Sequence, residues 1–105
     1  MGELEEFTDN GLNANSTETL STVFEIKAFT DVALFVMGIE GSHLKHVVTI
    51  QISPDNKHWF DSKKIIQGSG FVDYSKYPGR YIRAKVTKPE GATSVIDITF
   101  YSRGE

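Results

Sequence analysis

Residues 44–60 read L-K-H-V-V-T-I-Q-I-S-P-D-N-K-H-W-F. Leu44, His46, Val48, Ile50 and Ile52 alternate with Lys45, Val47, Thr49, Gln51 and Ser53, and a period of two marks a strand that turns one face to a core. A slip of one residue would exchange the two sets, so Ile50 and Ile52 are expected inside and Thr49 and Gln51 outside. Ser53-Pro54-Asp55-Asn56-Lys57 then makes a tight turn. Proline presets φ at the first corner, and Asp and Asn tolerate the second while bonding their own backbone. Trp59 and Phe60 follow directly.

Working outward, residues 20–28 alternate again, with Leu20, Thr22, Phe24, Ile26 and Ala28 on one face. Residues 32–39 are apolar on both faces, the pattern of a central strand covered on both sides. Glu40-Gly41-Ser42 gives a hairpin signal after it. Residues 65–66 suit a short strand, Gln67-Gly68-Ser69-Gly70 a flexible break, and 71–77 an irregular aromatic segment closed by Pro78-Gly79. Residues 81–87, with Ile82, Ala84 and Val86 inward, and 94–101, with Ile96, Ile98 and Phe100 on one face, read as two strands joined by a hairpin at Lys88-Pro89-Glu90-Gly91. No sustained helical period occurs. Some seven or eight short strands, spaced roughly 8 to 12 residues apart, predict an all-β antiparallel sandwich, jelly-roll-like, with an extended N-terminal arm. Residues 1–19 are read as arm and loop, and 20–105 as the sandwich domain.

With 105 residues, 39% of them hydrophobic and 24% charged, the chain has enough apolar content for one folded domain. It has no cysteine, so the sheet and its core must supply the stability. The N-terminus is acidic where a signal peptide is basic and then apolar, and no run approaches the length of a membrane span. Neither export by that route nor membrane insertion is expected. Residues 1–40 hold eight acids against one base, a balance of -7, and residues 41–105 hold ten bases against six acids, a balance of +4. The bases are scattered, which argues against a nucleic-acid footprint. The division itself has two readings: strands from opposite ends of the chain pair with each other, or an acidic arm meets a basic face of a neighbouring subunit.

Catalytic chemistry finds no support in the motifs. His43 and His46 fall on opposite faces of a strand, so no metal site is expected, and His46, on the face of Val48 and Ile50, is expected to be hydrogen-bonded and semi-buried. No nucleophile elbow, phosphate loop or metalloprotease helix is present. The chain is expected not to be an enzyme and to need no cofactor. Trp59, Phe60, Tyr74, Tyr77 and Arg80 cluster in sequence and form a candidate ligand or interface set, with burial at one end of the sandwich as the alternative. In the arm, Leu4, Glu5, Glu6 and Phe7 are candidate subunit contacts, because so few large apolar side chains do not offset the cost of ordering the segment on the domain's own core.

The sequence Ser53-Pro54-Asp55-Asn56, two residues, then Trp59 resembles the S-x-D-G-x-x-W hairpin of discoidin-like jelly rolls, which include coagulation-factor C-type domains and related carbohydrate-binding modules. The segment from Pro78 through Arg80-Tyr81-Ile82-Arg83 to Val86 resembles the Arg-Tyr-Ile-Arg strand of the same domains. Together these cover about a quarter of the chain. Discoidin domains are longer and often carry a cysteine pair, and this chain lacks the length for their ligand-binding loops. In size it is more similar to the small jelly-roll proteins of tailed-phage particles, which the 53–59 turn and Ser94-Val95-Ile96-Asp97 also resemble. That resemblance implies a virion protein assembled in the host cytoplasm, a capsid decoration (cement) protein in contact with other copies of itself and a capsid or virion protein. The alternatives are a non-catalytic carbohydrate-binding module, or a phage tail or baseplate adaptor.

Overall fold

The computed structural model describes residues 4–14, 18–26, 31–41, 46–89 and 94–103. The chain doubles back at the 53–59 turn. Ser53 Oγ accepts from the Asn56 amide at 2.8 Å, and Asp55 Oδ1 accepts from the amides of Lys57 at 2.9 Å and His58 at 2.8 Å. Asn56 takes φ of 62°, a conformation that asparagine tolerates better than most residues. Nine strands are described: β1 (Leu4–Ala14), β2 (Glu18–Leu20), β3 (Phe24–Glu25), β4 (Asp31–Gly41), β5 (Val47–Ser53), β6 (Phe60–Gln67), β7 (Gly70–Tyr74), β8 (Tyr81–Thr87) and β9 (Ser94–Arg103).

These make two antiparallel sheets, in the orders β1-β9-β4-β7 and β2-β8-β5-β6, with β3 also paired to β8. The pairings nest about the turn: β5 with β6, β4 with β7, β2 and β3 with β8, and β1 with β9. One long hairpin, rolled so that β4 also meets β9 and β5 meets β8, gives this order, which is that of a jelly roll. The nesting lays the acidic first part of the chain against the basic second part within one molecule. Glu25 and Arg80, for example, meet at 3.2 Å. Two expected hairpins are corrected by the same topology. β4 and β5 lie in different sheets, as do β8 and β9, so the glycine-containing connections after Glu40 and after Lys88 cross between sheets, their centres lying outside the described residues.

The core lies between the sheets. Val32, Leu34 and Val36 of β4 and Ile96, Ile98 and Phe100 of β9 face Val48 and Ile50 of β5 and Ile82, Ala84 and Val86 of β8. Ile52 packs against this core half-buried, while Gln51 is covered on the opposite face by its polar neighbours, so the expected register holds. His46 is buried and its Nε2 lies 3.0 Å from the Gly68 carbonyl, beside the corner where β6 leaves for β7.

The N-terminal segment is extended, and it lies in the sheet. β1 pairs with β9 from Leu4 opposite Arg103 to Ala14 opposite Ser94, with a bulge at Asn10 and Gly11 where Gly11 takes φ of 69°. Phe7 packs on Phe24 with centroids 5.6 Å apart, and Leu12 also touches the core. Residues 4–14 therefore need no second subunit to hold them. The ladder to β9 satisfies the backbone, a contribution that a count of large apolar side chains leaves out.

Three further expectations change. The 20–28 strand is interrupted, since Leu20 opposes Lys85, Ser21 bonds Ala84 in both directions and Phe24 opposes Ile82, so Thr22 and Val23 together stand against Arg83. That extra residue flips the face: Leu20 is exposed while Phe24 and Ile26 are buried, and Ala28 lies outside the described residues. The segment expected to be irregular, 71–77, begins as strand β7. Finally, β4 is central in its sheet but covered on one face only.

Candidate interaction surface

On β4, the residues that alternate with the buried Val32, Leu34 and Val36 are Ala33, Phe35, Met37 and Ile39. The strand register carries their face across the sheet. Phe35 lies opposite Thr99 of β9 and Phe71 of β7, Ala33 opposite Tyr101 and Asp73, and Met37 opposite Asp97. Phe35 and Phe71 stack with centroids 5.4 Å apart, and Tyr101 meets Phe35 edge-on at 5.8 Å. These side chains face solvent: Phe35 is 45% exposed, Met37 61%, Ile39 52% and Phe71 65%. An aromatic side chain presents roughly 150 to 250 Å², so the two phenylalanines alone leave on the order of 200 Å² in water. The largest apolar patch on a typical monomer is about 300 to 600 Å² and is often functional.

Carboxylates rim this face. Glu6 of β1 stands opposite Tyr101, and its negative charge, together with their hydrogen bond, raises the Tyr101 hydroxyl above the ordinary tyrosine range. Asp73 and Asp97 occupy β7 and β9, and Asp31 sits opposite Arg103 at the end of β4. Towards the β1 bulge the surface dips into a groove of about 370 Å³ lined by Phe35, Met37, Phe71, Asp97 and Asn10, with Ser69 and Gly70 at the β6–β7 corner among the rest. Asp97 Oδ1 accepts from the Gly11 amide at 2.8 Å, and Ser69 Oγ accepts from the Gly38 amide at 2.9 Å.

The outer face of the other sheet exposes Leu20 and Ile65 singly, and its centre is a polar network satisfied from within. Arg83 Nε donates to Gln51 Oε1 at 2.7 Å, Gln51 Nε2 donates to Asp61 Oδ1 at 2.7 Å, and Lys85 Nζ meets Asp61 at 3.3 Å. The hydrogen bond from Gln51, then that from Lys85, hold the Asp61 carboxyl below its usual range. Trp59 belongs to this network: the Arg83 guanidinium covers its ring at 4.0 Å.

Of the candidate residues from the sequence, the structure brings Tyr74 and Tyr77 together, edge-on at 5.5 Å, but does not unite the five. Trp59 is half-buried beneath Arg83 instead of capping the core, and Phe60 is exposed at the start of β6. Tyr74 is half-buried, its hydroxyl 2.7 Å from Ser62 Oγ, with Lys64 over its ring; burial raises its pKa. Tyr77 has no exposed surface at all, and its hydroxyl donates to the Tyr81 carbonyl at 2.8 Å. Burial also pushes that hydroxyl well above the usual range. Arg80 is occupied by Glu25. These five do not make one open aromatic platform, because Tyr77 is core and Trp59 already carries a cation. Of the N-terminal candidates, Phe7 turns inward and Glu6 reaches the aromatic face; the backbones of Leu4 and Glu5 pair with Arg103 and Ser102, and their side chains lie outside those described. Of the residues that form the face, Phe35, Met37 and Ile39 were legible in sequence only as part of an apolar run too uniform for one buried side, and Phe71 only as the start of the aromatic segment 71–77.

Solved structures of similar fold include two with TM-scores of 0.60 or more. One is the SPBc2 prophage-derived protein YomS, at 11% identity over 95% of both chains, with a TM-score of 0.62. The other is the Yersinia pseudotuberculosis-derived mitogen YPM, at 10% identity over 100% of this chain and 88% of that one, with a TM-score of 0.60. At such identities the likeness is one of fold. No protein-family model matches the chain and no curated protein matches it in sequence.

Proposed function

We propose that this chain is a capsid decoration protein, a non-catalytic component of a phage particle that works through protein contacts made by the aromatic face of the β1-β9-β4-β7 sheet. The observation that carries the contact role is the solvent-facing Phe35–Phe71 pair with Met37 and Ile39 beside it. Apolar surface left in water forgoes about 25 cal/mol per Å² relative to burial, so a partner that covers this face stabilises the assembly. The partners are a capsid or other virion protein and neighbouring copies of the chain. The small jelly-roll size and the likeness to a prophage-derived protein support the particle assignment.

The test is quantitative mass spectrometry of particles purified from a host that produces the phage encoding this chain. The wild-type chain is expected at a fixed ratio to the major capsid protein, and Phe71→Ser, while still folded, is expected to be lost from the particles. Purified particles without the wild-type chain overturn the decoration reading. Retention of Phe71→Ser at wild-type copy number overturns the choice of face.

A further inference from the structure

The groove at the edge of the aromatic face has a composition that specifies an occupant. Its apolar walls come from Phe35, Phe71 and the flexible Met37, and Asp97 is the one charged residue among those that line it. Among the described residues, no base lines the groove to neutralise that carboxylate. One Asp97 oxygen is taken by the Gly11 amide; among the described residues the carboxylate makes no other hydrogen bond. An enclosed cavity of about 150 Å³ already accepts a benzene-sized group, so a groove of about 370 Å³ admits a long side chain.

We propose that this groove is the receptor for an arginine side chain of the partner that docks on the aromatic face, an inference that rests on the contact role proposed above and names its anchor. The three-carbon stem of arginine lies along Met37 and Phe35, as long cationic side chains do when they cover apolar surface with their methylenes. The guanidinium stacks on the open ring of Phe71 and donates to the second carboxylate oxygen of Asp97, combining a cation–π contact with a charge-assisted hydrogen bond. Of the remaining carboxylates on this face, Asp31 stands opposite Arg103 and Asp73 has Lys64 at its backbone carbonyl, while Glu6 stands opposite the uncharged Tyr101, so carboxylates outnumber bases among the described residues around the groove, which favours a basic partner rim and disfavours the same face of a second copy.

The probe is N-acetyl-arginine amide, titrated against the full-length ¹⁵N-labelled chain at constant ionic strength, with N-acetyl-citrulline amide as its neutral counterpart. Saturable shifts confined to amides near Asp97, Met37 and Phe71 are expected for the arginine compound only. Asp97→Asn keeps a side-chain carbonyl for the Gly11 amide and removes only the charge, so it leaves the fold intact and weakens binding roughly tenfold or more. Equal shifts from both compounds, no saturable shift from arginine, or an unchanged affinity in Asp97→Asn each overturn the proposal. The two readings separate cleanly. Particles that lose Phe71→Ser but hold Asp97→Asn at full copy number retain the docking face and discard the arginine anchor. Arginine binding by a chain absent from particles does the reverse.

Discussion

The ring of Phe35 stacks on that of Phe71 across the β4–β7 ladder, with planes 24° from parallel, and the pair faces solvent while the residues that alternate with Phe35 on β4 form the core. Burial on one face of this sheet and exposure on the other separate stability from binding. Phe71→Ser removes a cross-strand contact worth about 0.2 to 1 kcal/mol and should lower the urea midpoint only slightly, with an unchanged m-value. Phe100→Ala, at a wholly buried position against Phe24, should cost about 3 to 5 kcal/mol. Equal losses in the two variants would show that Phe71 is part of the core.

Removal of the N-terminal strand tests whether it belongs to the sandwich. Deleting residues 2–11 strips most of β1 from β9, uncovers Phe24 where Phe7 packs on it, and removes Asp9, whose carboxylate accepts from the Thr22 amide at 2.9 Å. The truncated chain should melt far below the full-length one or lose cooperative unfolding. Phe7→Ala alone, at a half-buried site, should cost about 2 to 3 kcal/mol by chemical denaturation. A truncated chain with the full-length melting temperature would mean that β1 contributes nothing to folding.

The pattern of faces was legible in sequence wherever a strand kept its period. Val48 and Ile50, Ile82, Ala84 and Val86, and Ile96, Ile98 and Phe100 all face inward as their alternation requires. Where the chain inserts a residue, at Thr22 and Val23, the parity of Leu20 against Phe24 reverses, and no local signal announces it. Pairing was legible at the 53–59 turn and, in outline, in the charge division, one reading of which pairs strands from opposite ends of the chain as β1 and β9 do. Tight turns elsewhere look alike whether the next strand stays in the sheet or crosses to the other, because that choice is made by the long-range nesting of β1 on β9 and β4 on β7. The aromatic face was hidden for a related reason. A run apolar on both sides suits a strand covered twice, and sequence does not distinguish a second covering layer in the same chain from one supplied by a partner.

The turn makes a pH prediction. Asp55 accepts from two backbone amides and lies 2.6 Å from His58 Nδ1, and these bonds hold its carboxyl far below the ordinary value of about 4. A carboxyl depressed in the folded state contributes stability that is fully present above its unfolded pKa and is lost as pH falls through the folded one. Asp55→Asn should therefore be less stable than wild type at pH 5 to 7, and the gap should close as the pH drops below about 4. Denaturant midpoints measured across this range decide it. A gap of constant size would show that the lost interaction does not depend on ionisation.

The close approach at Gly79 gives the last prediction. This residue follows Pro78 on the path from the buried Tyr77 to β8, and the next amide, that of Arg80, donates to the Ser53 carbonyl at 3.1 Å. A Cβ at Gly79 would lie 2.8 Å from Ile52 Cγ2, 3.1 Å from the Ser53 carbonyl oxygen and 3.3 Å from the Tyr77 ring. Two of these neighbours yield little, since one is strand backbone and the other a fully buried ring whose hydroxyl is tied to Tyr81. Gly79→Ala should therefore destabilise by about 1 to 3 kcal/mol, the usual cost of overpacking, although alanine is otherwise a mild replacement. Ile52→Ala removes the nearest atom, so the alanine at 79 should cost less in that background. A double-mutant cycle with no coupling, or a Gly79→Ala chain as stable as wild type, would place the β7–β8 connection further from β5 than the structure has it.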